Sequence, residues 1–139
     1  MNDPDPTATG EPLSPGEREI LIYVVDDESL IGEMVEVILK LRGFRPRFFT
    51  DPVAALQALR EEEPKPDLLL TDFLMDPING MELIDLGKRL QPSLKTILYT
   101  GNVGEEIKEH YAVQPDGFLS KPFLPKTLLA VVNSVLKRV

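Results

Sequence analysis

The sequence predicts a doubly wound α/β domain in which five parallel strands and five helices alternate along the chain. From residue 19 onward, short apolar runs alternate with segments whose apolar residues recur at helical spacing. The first of these runs, residues 20–25, is continuous, as expected for a strand whose two faces are both covered by helices. Short connections and right-handed crossovers then place helices on both faces of one sheet.

The first strand and the first helix are joined by an acidic pair. Residues 20–25, with the sequence Ile-Leu-Ile-Tyr-Val-Val, form the strand, which stops at Asp26 and Asp27. The first helix covers residues 29–42, because apolar side chains recur there every three or four positions. Gly43 follows in the position of a helix C′ glycine.

The second helix lies between the next two strands. Residues 45–49 form the second strand and residues 68–71 the third, which ends at Asp72. Thr50 or Asp51 caps the helix between them, since either side chain can accept a hydrogen bond from the free N–H groups of a first helical turn.

The second half of the chain continues the alternation. Its predicted elements are a helix over 81–90, a strand over 94–100, a helix over 105–111, a strand over 117–120 and a helix over 126–138. The helix over 105–111 is short and mostly polar. The last helix carries an apolar stripe wider than one buried face needs, formed by Leu128, Leu129, Val131, Val132, Val135 and Leu136. We therefore expect part of that stripe to serve as a contact surface.

Composition restricts the class of protein. The chain has 139 residues, 42% of them hydrophobic, which suits one domain over residues 19–139 after a flexible, proline-rich tail over residues 1–18. Its net charge of −8 argues against nucleic acid as a partner, and it has no cysteine for disulfides or thiol chemistry. It also lacks the pattern of a signal peptide and any apolar run near the roughly 20 residues of a membrane span. We expect a cytoplasmic protein without membrane contact.

Polar residues follow the predicted strands at one rim of the sheet. Asp26 and Asp27 follow the first strand, Asp72 the third, Thr100 the fourth and Lys121 the fifth. Carboxylates gathered in this way repel one another unless a cation lies among them, and oxygen ligands without His or Cys suit Mg²⁺. A carboxylate can also attack phosphorus and form an acyl phosphate.

These residues carry a resemblance to a known family. From residue 20 to 139 the chain resembles the receiver domain of bacterial two-component response regulators, which implies a flavodoxin-like fold with receiver topology. The matching motifs are Val25-Asp26-Asp27-Glu28, Asp72-Phe73-Leu74-Met75, Tyr99-Thr100-Gly101 and Lys121-Pro122. Each motif alone is weak, and the ordered set is specific.

The resemblance implies a role for each carboxylate. Asp72 is the phosphoacceptor, and it binds Mg²⁺ together with Asp27 and the backbone carbonyl of Leu74. Asp26 acts on the metal through a bound water molecule. Leu74 and Asn102 occupy positions that tune the lifetime of the phosphoryl group.

The remaining matched residues concern the phosphoryl group and the switch. By resemblance, Lys121 pairs with the phosphoryl oxygens and Thr100 moves toward them, while Phe118 rotates inward as an aromatic switch. Phe118 replaces the family's common Tyr and equally suits an ordinary core position. Asp76 stands where the family commonly has Pro, with Pro77 following, so the path and charge of this loop depart from the family pattern.

The function implied is that of a stand-alone receiver in two-component signalling. Asp72 takes a phosphoryl group from a sensor histidine kinase or a histidine phosphotransfer protein, and the surface formed by the fourth helix, fifth strand and last helix then binds a downstream protein. The apolar last helix leaves homodimerisation through this face open. Enzymatic activity is limited to self-phosphorylation and slow autodephosphorylation.

Two other functions compete with this interpretation. The chain is a phosphorylation-independent adaptor if its receiver fold binds a partner without chemistry. An aspartyl phosphatase of the haloacid dehalogenase type needs a second Asp two residues after the nucleophile, where this chain has Leu74. Each site residue also has an ordinary interpretation as a helix cap, a turn residue or a solvated lysine. Their joint occurrence at successive strand ends favours the receiver.

Overall fold

Five parallel strands form one sheet in the computed structural model, which describes residues 19–101 and 110–137. The strands are β1 (Leu21–Val25), β2 (Arg45–Phe49), β3 (Leu68–Asp72), β4 (Lys95–Thr100) and β5 (Gly117–Ser120). Their order in the sheet is β2-β1-β3-β4-β5. The chain thus reverses its direction of travel between β1 and β3, and ligands of doubly wound sheets bind beyond the carboxyl ends of the strands at that point.

The described helices cover both faces of the sheet. They are α1 (Ser29–Leu41), α2 (Pro52–Glu61), α3 (Gly80–Leu90) and α4 (Pro125–Leu136). Residues 105–109 of the helix predicted over residues 105–111 lie outside the described residues. The doubly wound fold class is confirmed, and the described elements begin within one residue of their predicted positions.

Two apolar layers hold the helices to the sheet. Successive residues of a strand point to opposite faces, so Ile22 and Val24 join the layer under α1 and α4, while Tyr23 and Val25 join the layer under α2 and α3. All five residues of β1 and of β3 are buried. Continuous apolar runs are therefore typical of these two central strands because both of their faces are buried.

The N-termini of α1 and α2 show which side chains cap these helices. Asp51 caps α2 by accepting a hydrogen bond from the Val53 N–H at 2.9 Å. The acidic pair before α1 does not cap that helix, since Glu28 is its N-cap residue and makes no side-chain capping bond. Asp26 and Asp27 are therefore available for another role.

The apolar stripe of the last helix is used for packing. Leu128, Val132 and Val135 are buried, and Leu129, Val131 and Leu136 are half-buried against the sheet. Among the described residues, the row of exposed large apolar side chains lies instead on α1. It consists of Leu30, Met34, Val37 and Leu41, spaced three or four residues apart along one face. The exposed apolar side chains that could form a contact surface are thus found on α1 rather than along the stripe of the last helix.

No helix within residues 19–101 and 110–137 combines the length and the apolar character needed to cross a membrane.

Candidate metal centre at the strand ends

Three carboxylates meet where β1 and β3 end side by side. Val25 pairs with Thr71 in the sheet, so Asp26 and Asp72 occupy neighbouring positions at the carboxyl ends of the two strands. Asp27 completes the group, and one oxygen from each of the three carboxylates lies within 4.8 Å of the others. Asp26 and Asp72 are buried, whereas Asp27 is exposed. The group is therefore open to solvent on the side of Asp27.

Asp26 is held by hydrogen bonds to both of its carboxylate oxygens. The Glu28 N–H donates to Oδ1 at 2.8 Å, and the Tyr99 hydroxyl donates to Oδ2 at 2.6 Å. Its own backbone N–H donates to the Phe49 carbonyl at 3.1 Å, which ties the end of β1 to β2. These bonds offset part of the cost of burying the carboxylate.

Asp72 is held by the start of the following loop. Its Oδ1 accepts a hydrogen bond from the Phe73 N–H at 2.9 Å, and its backbone carbonyl accepts one from the Thr71 hydroxyl at 2.9 Å. The loop returns at Gly80, whose N–H donates to the Phe73 carbonyl at 2.8 Å. A Cβ at Gly80 would lie 2.1 Å from the Asp72 carbonyl oxygen, so only glycine permits this close approach of α3 to β3.

Lys121 brings an ammonium to this group. Its Nζ lies 3.1 Å from Asp72 Oδ1, 3.4 Å from Glu28 Oε1 and 3.8 Å from Asp26 Oδ2. The Lys121 N–H donates to the Thr100 carbonyl at 3.0 Å, which anchors the residue after β5 to the end of β4. The peptide bond between Lys121 and Pro122 is cis.

The charges of the group do not balance. Burial raises the pKa of Asp26, and burial together with the Asp26 charge raises the pKa of Asp72. Burial opposes the charge of Lys121, but the carboxylates of Asp26 and Asp72 outweigh it and raise the Lys121 pKa. Three ionised carboxylates around one ammonium leave a negative excess that a cation would neutralise. A set of oxygen donors only, with one open side, fits Mg²⁺.

The other predicted site residues differ in their burial and in their position in the fold. Thr100 is buried at the end of β4, on the same rim of the sheet. Phe118 is half-buried on β5 and packs against the apolar layer under α2 and α3. Leu74 has an exposed side chain in the loop after β3. Asp76 is exposed in the same loop, and Asn102 lies outside the described residues.

Sequence reasoning missed two contributors to this site. Glu28 follows the acidic pair directly and reaches Lys121. Tyr99 precedes Thr100 on β4 and is fully buried, so its hydroxyl needs a hydrogen-bond partner. That requirement was the available signal, but only the tertiary structure identifies the partner as Asp26.

The chain is similar to proteins of one family. The family model described as "Response regulator receiver domain" matches residues 22–133. The phosphate regulon transcriptional regulatory protein PhoB of Klebsiella pneumoniae is 34% identical over 121 residues, which are 85% of this chain and 52% of PhoB. The chain thus spans about half the length of the curated relatives it matches.

Solved structures agree with this similarity. A CheY-like response regulator receiver domain protein from Methanospirillum hungatei is 25% identical with a TM-score of 0.80, covering 86% of this chain and 95% of that one. The chemotaxis protein CheY4 of Vibrio cholerae is 26% identical with a TM-score of 0.78, covering 85% of this chain and 99% of its own.

Proposed function

Since the chain belongs to the response regulator receiver domain family, a family of two-component signalling, we propose that Asp72 accepts a phosphoryl group from a phosphohistidine in a Mg²⁺-dependent reaction. The observation that supports this most is the contact of Asp72 with Lys121 at 3.1 Å beside two further carboxylates. An adaptor that works without phosphorylation has no need of this costly group of buried charges.

The transfer is a substitution at phosphorus. A carboxylate oxygen of Asp72 forms a bond to the phosphorus atom while the bond to the imidazole nitrogen of the donor breaks, and the nitrogen keeps the electron pair. Mg²⁺, held by Asp27, Asp72 and the Leu74 carbonyl and through water by Asp26, would supply positive charge to the phosphoryl oxygens. Lys121 already lies against Asp72 and pairs with the same oxygens.

The proposed conformational change begins with a hydroxyl that can hydrogen-bond to the new phosphoryl group. Thr100 is buried at the end of β4, next to β3, and its hydroxyl is a donor for a phosphoryl oxygen. We assign Phe118, half-buried on the neighbouring β5, to follow this movement. Leu74 and Asn102 remain the residues proposed to set the phosphoryl lifetime.

The exposed row on α1 suits the phosphohistidine donor. Leu30 is 83% exposed and begins the row four residues after Asp26, while Leu74 and Leu124, both exposed, belong to the loops after β3 and β5. Exposed apolar side chains that follow the acidic pair and the ends of β3 and β5 so closely along the chain can hold a partner whose histidine must reach Asp72. We propose that a sensor histidine kinase or a histidine phosphotransfer protein binds here.

The remaining assignments concern the domain bounds, the downstream partner and the location, and the family match over residues 22–133 supports them. We propose a receiver domain over residues 19–139, preceded by a tail over residues 1–18. A downstream protein, or a second copy of the chain, would bind at the face that includes β5 and α4. We propose that this signalling takes place in the cytoplasm, which a phosphohistidine donor and a chain without cysteine support.

Intact-mass measurement tests the proposal. The protein is incubated with a small acyl phosphate and Mg²⁺, with and without a chelator, alongside Asp72→Asn. We expect one added phosphoryl group that requires both Asp72 and the metal. Asp76→Asn is the matched control, because Asp76 is an exposed carboxylate in the same loop, and it should react like the wild type.

Three results would overturn the proposal. Equal uptake by Asp72→Asn would exclude Asp72 as the acceptor. No uptake, together with no Mg²⁺-dependent binding of beryllofluoride, would favour the adaptor. Multiple turnover of an aryl phosphate would instead favour the phosphatase.

A further inference from the structure

The hydroxyl of Tyr99 reaches across the sheet to the carboxylate group. Tyr99 lies on β4 opposite Asp72 of β3, and β1 is the strand beyond. Its side chain is fully buried in the layer under α1 and α4. From there the hydroxyl donates a 2.6 Å hydrogen bond to Oδ2 of Asp26, which follows β1. One side chain therefore joins the ends of β4 and β1 across the intervening β3.

We propose that Tyr99 is a positioning residue for the divalent cation and acts through Asp26, an inference that rests on the proposed function. Asp26 is completely buried, so its orientation depends on protein partners. The Glu28 N–H holds one oxygen and the Tyr99 hydroxyl the other. Together they fix the plane of the carboxylate and keep it beside Asp27 and Asp72.

Lys121 alone cannot replace the hydroxyl. Its Nζ is 3.8 Å from Asp26 Oδ2, beyond hydrogen-bond distance, and lies closer to Asp72 and Glu28. Without the Tyr99 hydroxyl, Oδ2 of a buried carboxylate would lose the shortest of its contacts. The carboxylate would then be free to turn toward Lys121 and away from its partners in the group.

The ring of Tyr99 is itself held in place. Phe123 packs edge-on against it with the ring centroids 5.6 Å apart and an interplanar angle of 89°, and Lys121 Nζ lies 5.0 Å from its centroid. These contacts aim the hydroxyl at Asp26. Because they involve the ring alone, Tyr99→Phe keeps the packing and removes only the hydrogen bond.

The test is the affinity for Mg²⁺, measured without any phosphodonor by calorimetric titration and by amide chemical shifts. We expect Tyr99→Phe to bind Mg²⁺ about tenfold more weakly than the wild type, the usual size of a lost supporting hydrogen bond around a metal site. Tyr23→Phe is the matched control. Tyr23 is equally buried, but it lies in the opposite layer against Phe49, so its loss should leave the affinity unchanged.

A second measurement needs no variant to fold. In the wild type with labelled tyrosine rings, the hydroxyl-bearing carbon of Tyr99 should shift with Mg²⁺ over the same concentrations as the Asp27 amide. No shift at Tyr99, or unchanged affinity in Tyr99→Phe, would overturn the inference while leaving phosphoryl uptake by Asp72 intact. A wild type that takes up no Mg²⁺ would overturn both the inference and the metal requirement of the proposed function.

Discussion

The Nζ of Lys121 lies 3.1 Å from Oδ1 of Asp72, so the residue after β5 touches the last residue of β3. This ion pair spans β4, which lies between the two strands. The ammonium compensates the charge of one buried carboxylate. Asp26, 3.8 Å from the same ammonium, is a second buried carboxylate. The arrangement suits a site that binds a cation. The uncompensated negative charge lowers the stability of the metal-free protein.

Asp72→Asn should stabilise the metal-free protein at neutral pH. Burial and the charge of Asp26 raise the pKa of Asp72 above its ordinary value of 3.8. The folded state therefore holds this proton more tightly than the unfolded state, and stability is lost as the pH rises from that ordinary value through the raised one. We expect a gain of about 1 kcal/mol at neutral pH for the uncharged side chain.

Urea denaturation in the presence of a chelator measures this gain. The difference between Asp72→Asn and the wild type should shrink as the pH falls from the raised pKa of Asp72 toward its ordinary value of 3.8, and it should disappear below that value, where the carboxyl is protonated in both states. Saturating Mg²⁺ should narrow it as well, because the metal binds the folded wild type. A variant less stable than the wild type at neutral pH would contradict this account.

Asp116→Asn should change the stability in the opposite direction and destabilise the protein. Oδ2 of Asp116 lies 3.0 Å from Lys88 Nζ and accepts a hydrogen bond from the Thr96 N–H at 2.9 Å. Burial opposes ionisation here, but the bonds from Lys88 and Thr96 prevail and lower the Asp116 pKa. Its contribution is present above the ordinary value of 3.8 and is lost as the pH falls through the lowered one.

We expect Asp116→Asn to lower the free energy of unfolding by about 1 kcal/mol at neutral pH, with the loss disappearing in acid. Thermal unfolding at several pH values checks this. Asp85→Asn serves as the control, since its pair with Arg89 is a surface contact within one helix and should change stability by under about 0.5 kcal/mol. A loss that persists in acid would indicate a packing effect instead.

Gly80→Ala should destabilise the protein by about 2 kcal/mol. The new Cβ would lie 2.1 Å from the Asp72 carbonyl oxygen, which is backbone and cannot move aside without displacing the end of β3. Gly101→Ala is the control, because among residues 19–101 and 110–137 a Cβ there meets no atom within 4 Å beyond its chain neighbours. Denaturant midpoints for the two variants should separate clearly, and equal midpoints would show that α3 can shift at little cost.

Met34→Glu should impair transfer from a protein donor and spare transfer from a small molecule. Met34 lies in the exposed apolar row of α1, where a charge would have to be desolvated by a docked partner. We expect phosphoryl transfer from a phosphorylated histidine phosphotransfer protein that is active on the wild type to slow about tenfold. Uptake from an acyl phosphate should not change.

Val53→Glu is the matched control for this measurement. Val53 is 43% exposed, as is Met34, but it lies on α2, against the opposite face of the sheet. Both variants should fold equally well because both positions already contact water. Equal slowing in the two would indicate a general effect of charge and would remove α1 from the proposed contact.

Local patterns were sufficient to predict the sheet. Continuous apolar runs marked β1 and β3, because strands buried on both faces leave no polar alternation. The same patterns were misleading about exposure. The stripe on the last helix looked wider than needed because apolar residues around its circumference contact the sheet from several angles, whereas the narrower row on α1 is left in water.

The sequence by itself determined which carboxylates come together, because parallel strands end at one rim and Asp26, Asp27 and Asp72 stand at those ends. It also placed Lys121 and Thr100 at the same rim. Only the tertiary structure decided that Tyr99 and Glu28 complete the group. Their contacts depend on how far a side chain reaches between strands that are distant in sequence, and no local spacing encodes that distance.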